Sequence, residues 1–420
     1  MNYAFTLAAR SAWNRRLTLG MTLIAIALSV SLLIGIERVR TDARDTFARS
    51  VSGTDLVVGA RASAVQLMLY AVFRIGDATN NMRWDSFRML ASHPQVAWAV
   101  PLSLGDSHRG FPVLGTNAGY FEHFRYGESR ALALAAGRRF ESLFEAVIGA
   151  EVAERLGYGV GARIVLNHGA GEVSLAAHGD KPFMVVGVLE RTGTPVDRTV
   201  HVSLEAIEAI HLDWQGGAPI PGFSIPAEFV SKFNLAPKQI TAALVGLKNR
   251  SAVFAVQRQV NSYPEEPLLA ALPGVALDDL WQIVGVAERT LLAISAMVVA
   301  VGLTGLVAVI LAGLGERRRE LAILRAVGAR PRDIFALLTL EGLFITVLGA
   351  ALGLLMLSVA TVALGPLVEL RYGVAIRPRV VSLEELQWLG MVVGVGLVAS
   401  LVPGYRAYRL SLADGLMPRT

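Results

Sequence analysis

Glu316-Arg317-Arg318-Arg319-Glu320-Leu321-Ala322-Ile323-Leu324-Arg325-Ala326-Val327-Gly328-Ala329-Arg330-Pro331 is a charged interruption between two apolar runs. No charged residue occurs from Thr290 to Gly315, or from Gly342 to Val368. Six arginines lie between Arg317 and Arg332, with Glu316, Glu320 and Asp333 among them or at the edges. A helix rises about 1.5 Å per residue, so each flanking run is long enough to cross a hydrocarbon core roughly 30 Å thick. The stretch therefore reads as a short helix that stays in water while its flanks enter lipid.

The rest of the chain agrees with a membrane solvent. Of 420 residues, 53% are hydrophobic, and the mean hydropathy is +0.50. With no cysteine, disulfides, thiolate metal sites and cysteine nucleophiles are excluded. Residues 1–16 are apolar and basic, with Ala4, Leu7, Ala8, Ser11 and Ala12 at helical spacing. They fit a helix lying in the membrane interface, or a plain basic leader. Leu17 to Ile36 is a run of 20 uncharged residues that passes directly into Glu37-Arg38-Val39-Arg40. A signal peptide would have a shorter apolar region and a small-residue cleavage site, so residues 17–36 are read as the first membrane span. The charged stretch 37–53 is expected to prolong it as a stalk.

Residues 54–277 form one large region of soluble character. Short apolar runs bounded by Gly, Pro and Asp predict strands at 55–58, 96–100, 163–166, 183–189, 200–202 and 240–247. Helices are predicted at 84–92, 150–156, 203–211 and 250–262. Because 105–200 is richer in Gly and strand-like runs, an α/β part built from both ends of the region should carry a β-rich insertion. A second stalk is expected at 278–290, then spans at 291–314, 334–364 and 386–405. The charged loop 315–333 separates the second span from the third, and Gly365-Pro366 is expected to end the third. Residues 365–385 are a loop, and 406–420 a short basic tail.

Orientation follows from arginine placement. The N-terminal segment, the 315–333 loop and the tail together hold twelve arginines against four acids. Four spans put these three segments on one side, which the positive charge makes cytoplasmic. The large region and the 365–385 loop then lie outside. Residues 37–289 carry 24 basic and 26 acidic groups, so the net charge of +5 is membrane topology and no nucleic-acid patch.

Motifs narrow the chemistry. A phosphate-binding loop needs Lys-Ser/Thr after a Gly-rich turn. None of the four lysines (Lys181, Lys232, Lys238, Lys248) follows a glycine. The chain is not expected to hydrolyse ATP, and no paired-carboxylate, G-x-S-x-G or H-E-x-x-H signature marks a hydrolase. Glu341 is the one acid deep in an apolar run. It reads as a carboxylate paired with a nearby Arg or backbone, or as a proton or ion site. Gly349 with Gly353, and Gly390 with Gly394, stand at the spacing that lets membrane helices approach closely. All seven histidines (His93, His108, His123, His168, His178, His201, His211) fall in the external region, and no pair has i,i+4 ligand spacing, so no metal site is assigned.

One span, a large external domain and three further spans make a layout that resembles the FtsX/MacB/LolC-like permeases of ABC transporters. The segment Glu316 to Ile334 is similar to the family's R-x-E-[IL]-[AG]-[IL]-x-[KR]-A-x-G-A loop, and runs on into Glu341 and Gly349-Ala350-Ala351-Leu352-Gly353. In the external region, 147–157, 160–163 and 183–189, with 52–58, resemble the family's G-x-x-[LV]-A-x-x-L-G-x-x-x-G and F-x-V-V-G-[IV] stretches. The resemblance implies an α-helical membrane protein of the bacterial inner membrane, with four transmembrane helices and a large extracytoplasmic domain. That domain would have a porter-like α/β part with a β-rich insertion.

It also implies that 316–330 is a coupling helix docking on a separate cytoplasmic ABC ATPase, itself the binder of ATP and Mg. The docking residues would be Arg317, Arg318, Arg319, Glu320, Ile323, Leu324, Arg325, Gly328 and Arg330. Two permeases would pair, a homodimer first and a heterodimer second, with two ATPase copies, in contact with membrane lipid and with a periplasmic partner. This chain would bind no cofactor itself. The stalks would carry ATP-driven motion outward to extract or export an amphipathic substrate such as a lipid, lipoprotein, peptide or small hydrophobic compound. The alternatives are a signalling permease that regulates a periplasmic partner, and a metal- or ion-linked carrier.

Overall fold

The computed structural model describes residues 16–169, 176–215, 218–220, 223–372 and 378–409. The expected interfacial helix before Arg16 and the tail beyond Arg409 lie outside the described residues. Among the described residues, four helices are long and apolar enough to cross a membrane. They are Arg16–Arg49, Pro273–Glu316, Pro331–Tyr372 and Leu383–Arg409. Each outruns its apolar stretch. The first stops at Arg49, so 50–53 belong to a turn in which Gly53 takes φ 77°. The third does not end at Gly365-Pro366, since Pro366 sits inside it. Proline removes one i→i−4 hydrogen bond, and a long helix in lipid tolerates that loss.

The chain divides into two compact units. One comprises Met1–Asp42 and Gly285–Thr420 and holds the apolar helices. Ile26, Val30, Leu306, Ile310, Leu338 and Val392 are among the side chains in its core. Gly349 and Gly353 lie against the first helix: a Cβ on Gly349 would stand 2.7 Å from Ile26 Cγ2, and one on Gly353 2.6 Å from the Ala27 carbonyl oxygen. Ser31 Oγ also donates to the Gly353 carbonyl at 2.6 Å. Gly390 and Gly394 are different, with nothing within 4 Å of a built Cβ. The fourth helix instead meets the third through Gly396 against Thr346, Ser400 against Gly342, and Gly404 against Thr339. That i, i+4, i+8 row of small residues brings two antiparallel helices into close contact.

The other unit, Ala43–Val284, contains two main sheets. The first is antiparallel, in the order Leu268–Ala271, Leu56–Ala60, Ala242–Leu247, Val96–Leu102. Alternation sorts its side chains between two layers. Leu56, Val58, Ala243, Val245, Leu268 and Ala270 face helices Trp84–Ala91 and Val253–Asn261. Val57, Ala242, Leu244 and Ala271 face the other way, onto helix Ala64–Ala71, whose N-cap Ser63 accepts the Gln66 N–H at 3.0 Å.

The second sheet is inserted between strands Val96–Leu102 and Ala242–Leu247 of the first. It is mixed: Phe183–Leu189 runs parallel to Glu145–Ile148, and Val200–Ser203 parallel to Phe111–Thr116. Helices Ala150–Leu156 and Leu204–Ile210 pack on it around Val113, Ile148, Val152, Val185, Val202 and Ala206. The first ends at Gly157 in the left-handed conformation and the second begins at the Ser203 cap. At its far edge, strand Asp106–His108 pairs with Asn167–His168, which pairs with Ala176–Ala177.

Candidate functional site

Two places concentrate chemistry, one in each unit. In the membrane unit, the charged stretch folds as the short helix Arg318–Ala326. It is set off from the third long helix by Gly328, whose φ of 111° suits glycine alone, and by Pro331 at that helix's first position. Leu321 and Ala322 are buried, while Ile323 is 52% and Val327 85% exposed. Ala326 is exposed beside them, so Ile323, Ala326 and the helix-ending Val327 stand on one side at i, i+3, i+4 spacing. The side chains of Arg318 and Arg319 lie outside the described ones. Arg317 departs from the other residues grouped with it: it is buried, and its Nη1 donates to Glu341 Oε2 at 2.8 Å. A guanidinium and a carboxylate on adjacent helices satisfy each other there, so Arg317 turns into the bundle and not outward.

In the other unit, four segments converge at the edge of the second sheet. Asp106 and His168 are direct cross-strand partners. His178 follows the next strand, in a turn whose backbone N–H bonds the Leu166 carbonyl at 2.9 Å. His211 caps the C-terminus of helix Leu204–Ile210. His168 Nδ1 is 3.1 Å from Asp106 Oδ1 and 3.1 Å from His211 Nε2, and His211 Nε2 is 3.5 Å from the same carboxylate oxygen. The His178 ring stands 4.9 Å from that of His211 and 4.3 Å from Trp214, which covers the group. The Lys181 ammonium ties the two turns together, bonding Asp180 at 2.7 Å and Asp213 at 2.8 Å.

These neighbours set the charge states. Burial pushes the Asp106 carboxyl up, but hydrogen bonds from His168 and His211 outweigh burial and hold it at about 2. Burial, then the nearby His211, pushes His178 down to about 4. Burial disfavours the His211 cation, yet its hydrogen bond to Asp106 prevails and its pKa is raised. Spacing in the sequence assigns no metal ligand here, because the four residues come from four separate segments. Short strand pairings and the end of helix Leu204–Ile210 bring them together.

The same unit has an open cleft of about 590 Å³ lined by Val51, Asp55, Arg250, Val253, Pro273 and Val275 among others. Its lining is largely apolar, with one acid and one base.

Comparison with known proteins matches the description "MacB-like periplasmic core domain" over residues 19–263 and "FtsX-like permease C-terminal" over residues 292–412. No curated protein matches the chain. Among solved structures, the chain is similar to the periplasmic region of MacB from Actinobacillus actinomycetemcomitans, at 10% identity and a TM-score of 0.33, covering 55% of this chain and 94% of that one. It is also similar to the extracellular domain of the noncanonic ABC-type transporter YknZ from Gram-positive bacteria, at 13% identity and a TM-score of 0.29, covering 52% and 98%. Permeases of this family work with a cytoplasmic ATPase carried on a separate subunit, and are multi-pass inner-membrane proteins with an extracytoplasmic domain. With more than half of its residues inside the first match and most of the remainder inside the second, the chain belongs to the FtsX/MacB-like ABC transporter permeases.

Proposed function

We propose that this permease takes its energy through the Arg318–Ala326 helix from a separate ATPase and transmits it mechanically. It thereby extracts or exports an amphipathic substrate on the outer face of the membrane. The observation that carries this reading is the exposed Ile323 on, and Val327 at the end of, a nine-residue helix between two membrane helices. An apolar face with basic neighbours suits docking on a soluble subunit. Glu320, Leu324, Arg325, Gly328 and Arg330 belong to the docking segment with Arg318 and Arg319, while Arg317 anchors it to Glu341. ATP and Mg belong to the ATPase. Two permease copies would assemble with two ATPase copies, leaving Gly390 and Gly394 free to meet another membrane helix.

The helix Arg16–Arg49 is continuous, as is Pro273–Glu316, and such helices transmit displacement well. The largely apolar cleft would suit an amphipathic substrate, which needs apolar surface with a polar edge.

The test is a double substitution, Ile323→Asp with Val327→Asp, in the permease co-expressed with its ATPase. Co-purification and permease-stimulated ATP hydrolysis should both be lost while the permease keeps its thermal unfolding midpoint. Retained stimulation would overturn the docking assignment. A flexible Gly/Ser insert near residue 45 should abolish transport with ATPase binding intact. Unchanged transport would overturn mechanical transmission.

A further inference from the structure

Asp106, His168, His178 and His211 each present one ligand atom, and these four atoms all lie within 4.8 Å of one another. We propose that they form a zinc(II) site in the extracytoplasmic domain. A tetrahedral zinc with bonds of 2.0–2.1 Å to nitrogen and oxygen needs ligand atoms about 3.3 Å apart. Three of the distances in this group are already 3.1, 3.1 and 3.5 Å.

An independent observation points the same way. His178 is 1% exposed, yet neither ring nitrogen has a hydrogen-bond partner among the described residues. Buried polar atoms are rarely left so. A metal bond would satisfy one of them, where the surrounding rings of His168, His211 and Trp214 make ring contacts only.

The supporting contacts match those of metal sites. His211 Nδ1 is 2.8 Å from the Ile207 carbonyl, which can only accept, so Nδ1 keeps its proton and Nε2 is the atom that would give up its proton to bind metal. The Asp180–Lys181–Asp213 group fixes the turns that carry His178 and His211. The edge is open to ions, since the side chains of His168 and His211 are 29% and 24% exposed.

The donor set selects the cation. Calcium and magnesium prefer six or more oxygen ligands. Three imidazoles and one carboxylate suit zinc, copper or nickel, and four converging ligands without a required plane favour zinc. Four protein ligands close the coordination shell, so the ion would cross-link strands Asp106–His108 and Asn167–His168 to the turn at His178 and the end of helix Leu204–Ile210. The site is independent of how the membrane unit is driven.

The experiment uses the full chain in detergent, without a histidine tag, stripped by a chelator and then equilibrated with zinc or cobalt(II). Bound metal is counted after desalting, and affinity is read by competition with a chromophoric chelator. We expect one zinc per chain, an intense tetrahedral cobalt absorption, and a rise in unfolding temperature with zinc. His178→Ala and Asp106→Asn should weaken binding by at least about 100-fold, beyond the usual cost of losing an outer partner. His93→Ala, outside the group, should not. His168→Gln sits at the more exposed edge and serves where a buried variant fails to fold. No retained zinc, a weak octahedral cobalt spectrum, or unchanged affinity in folded His168→Gln would each overturn the assignment.

Discussion

Arg38 and Glu385, 347 residues apart in sequence, form a two-pronged ion pair inside the membrane unit. Arg38 Nε donates to Glu385 Oε1 at 2.9 Å and Nη2 to Oε2 at 3.0 Å. Both side chains are nearly inaccessible, at 3% and 0% exposure. Arg379 joins them, 3.2 Å from Glu385 and 3.0 Å from Asp42. The pair therefore ties the first long helix to the start of the fourth.

Breaking a buried pair on one side leaves a charge without a partner, at a cost of roughly 3–5 kcal/mol. Glu385→Ala should accordingly lower the unfolding midpoint of the detergent-solubilised chain sharply. The double variant Arg38→Met with Glu385→Leu should recover much of that loss, because neither charge then remains buried. Equal midpoints for the single variant and the unaltered chain would show that the pair contributes nothing.

Arg317 and Glu341 make a second such link, partly open to solvent, between the charged helix and the third long helix. If the carboxylate serves the arginine, Glu341→Gln and Arg317→Gln should destabilise by similar amounts. The double variant should then be less harmful than the sum, by about 0.5–3 kcal/mol of coupling. Strict additivity in a thermal-unfolding cycle would separate the two residues and return Glu341 to the role of an ion site.

What the sequence made legible was local. Apolar runs such as Leu17 to Ile36 disclose helices because the signal is contained in the run, and Phe183–Leu189 discloses a strand for the same reason. Strands Phe111–Thr116 and Glu145–Ile148 and helix Ala64–Ala71 are not assigned from sequence. The helix is too apolar and short to show a period, and only its Ser63 cap hints at it. Contacts closed by tertiary structure were illegible. Arg38 reads as one of several stalk charges until Glu385 is beside it. His168 is one of seven external histidines until a two-residue strand sets it opposite Asp106. Gly390 and Gly394 have the same spacing as Gly349 and Gly353, yet face open space, whereas Gly396, Ser400 and Gly404 make the contact. Spacing identifies a face, and only packing says what covers it.

That difference between glycines can be measured. Gly353→Val would push a side chain into the backbone of Ala27 and into Val30. Overpacking of this kind costs about 1–3 kcal/mol, so the unfolding midpoint should fall. A Cβ on Gly390 has no described neighbour within 4 Å, so Gly390→Val should leave the midpoint of the isolated chain nearly unchanged. The reverse order of sensitivity would contradict the packing described here.

His201 offers a pH test in the other unit. It is fully buried beside Tyr120, whose ring is 5.4 Å away, with Nδ1 3.2 Å from the Val147 carbonyl. Burial, reinforced by the charge of Arg74, pushes its pKa down from 6.5 to about 3. The unfolded chain takes up a proton below 6.5, while the folded chain refuses it until about 3. The unfolded state thus binds more protons in that window, and stability falls as pH falls through it. The His201 contribution is intact above 6.5 and declines by about 1.4 kcal/mol per pH unit below it. His201→Phe keeps a ring among Tyr120 and Phe121 and removes the titration. Its unfolding midpoint should drop less between pH 7 and pH 4 than that of the unaltered chain, since the remaining histidines titrate equally in both. Parallel curves would mean that His201 takes up its proton at the same pH in the folded and unfolded chain, and would overturn the depressed pKa.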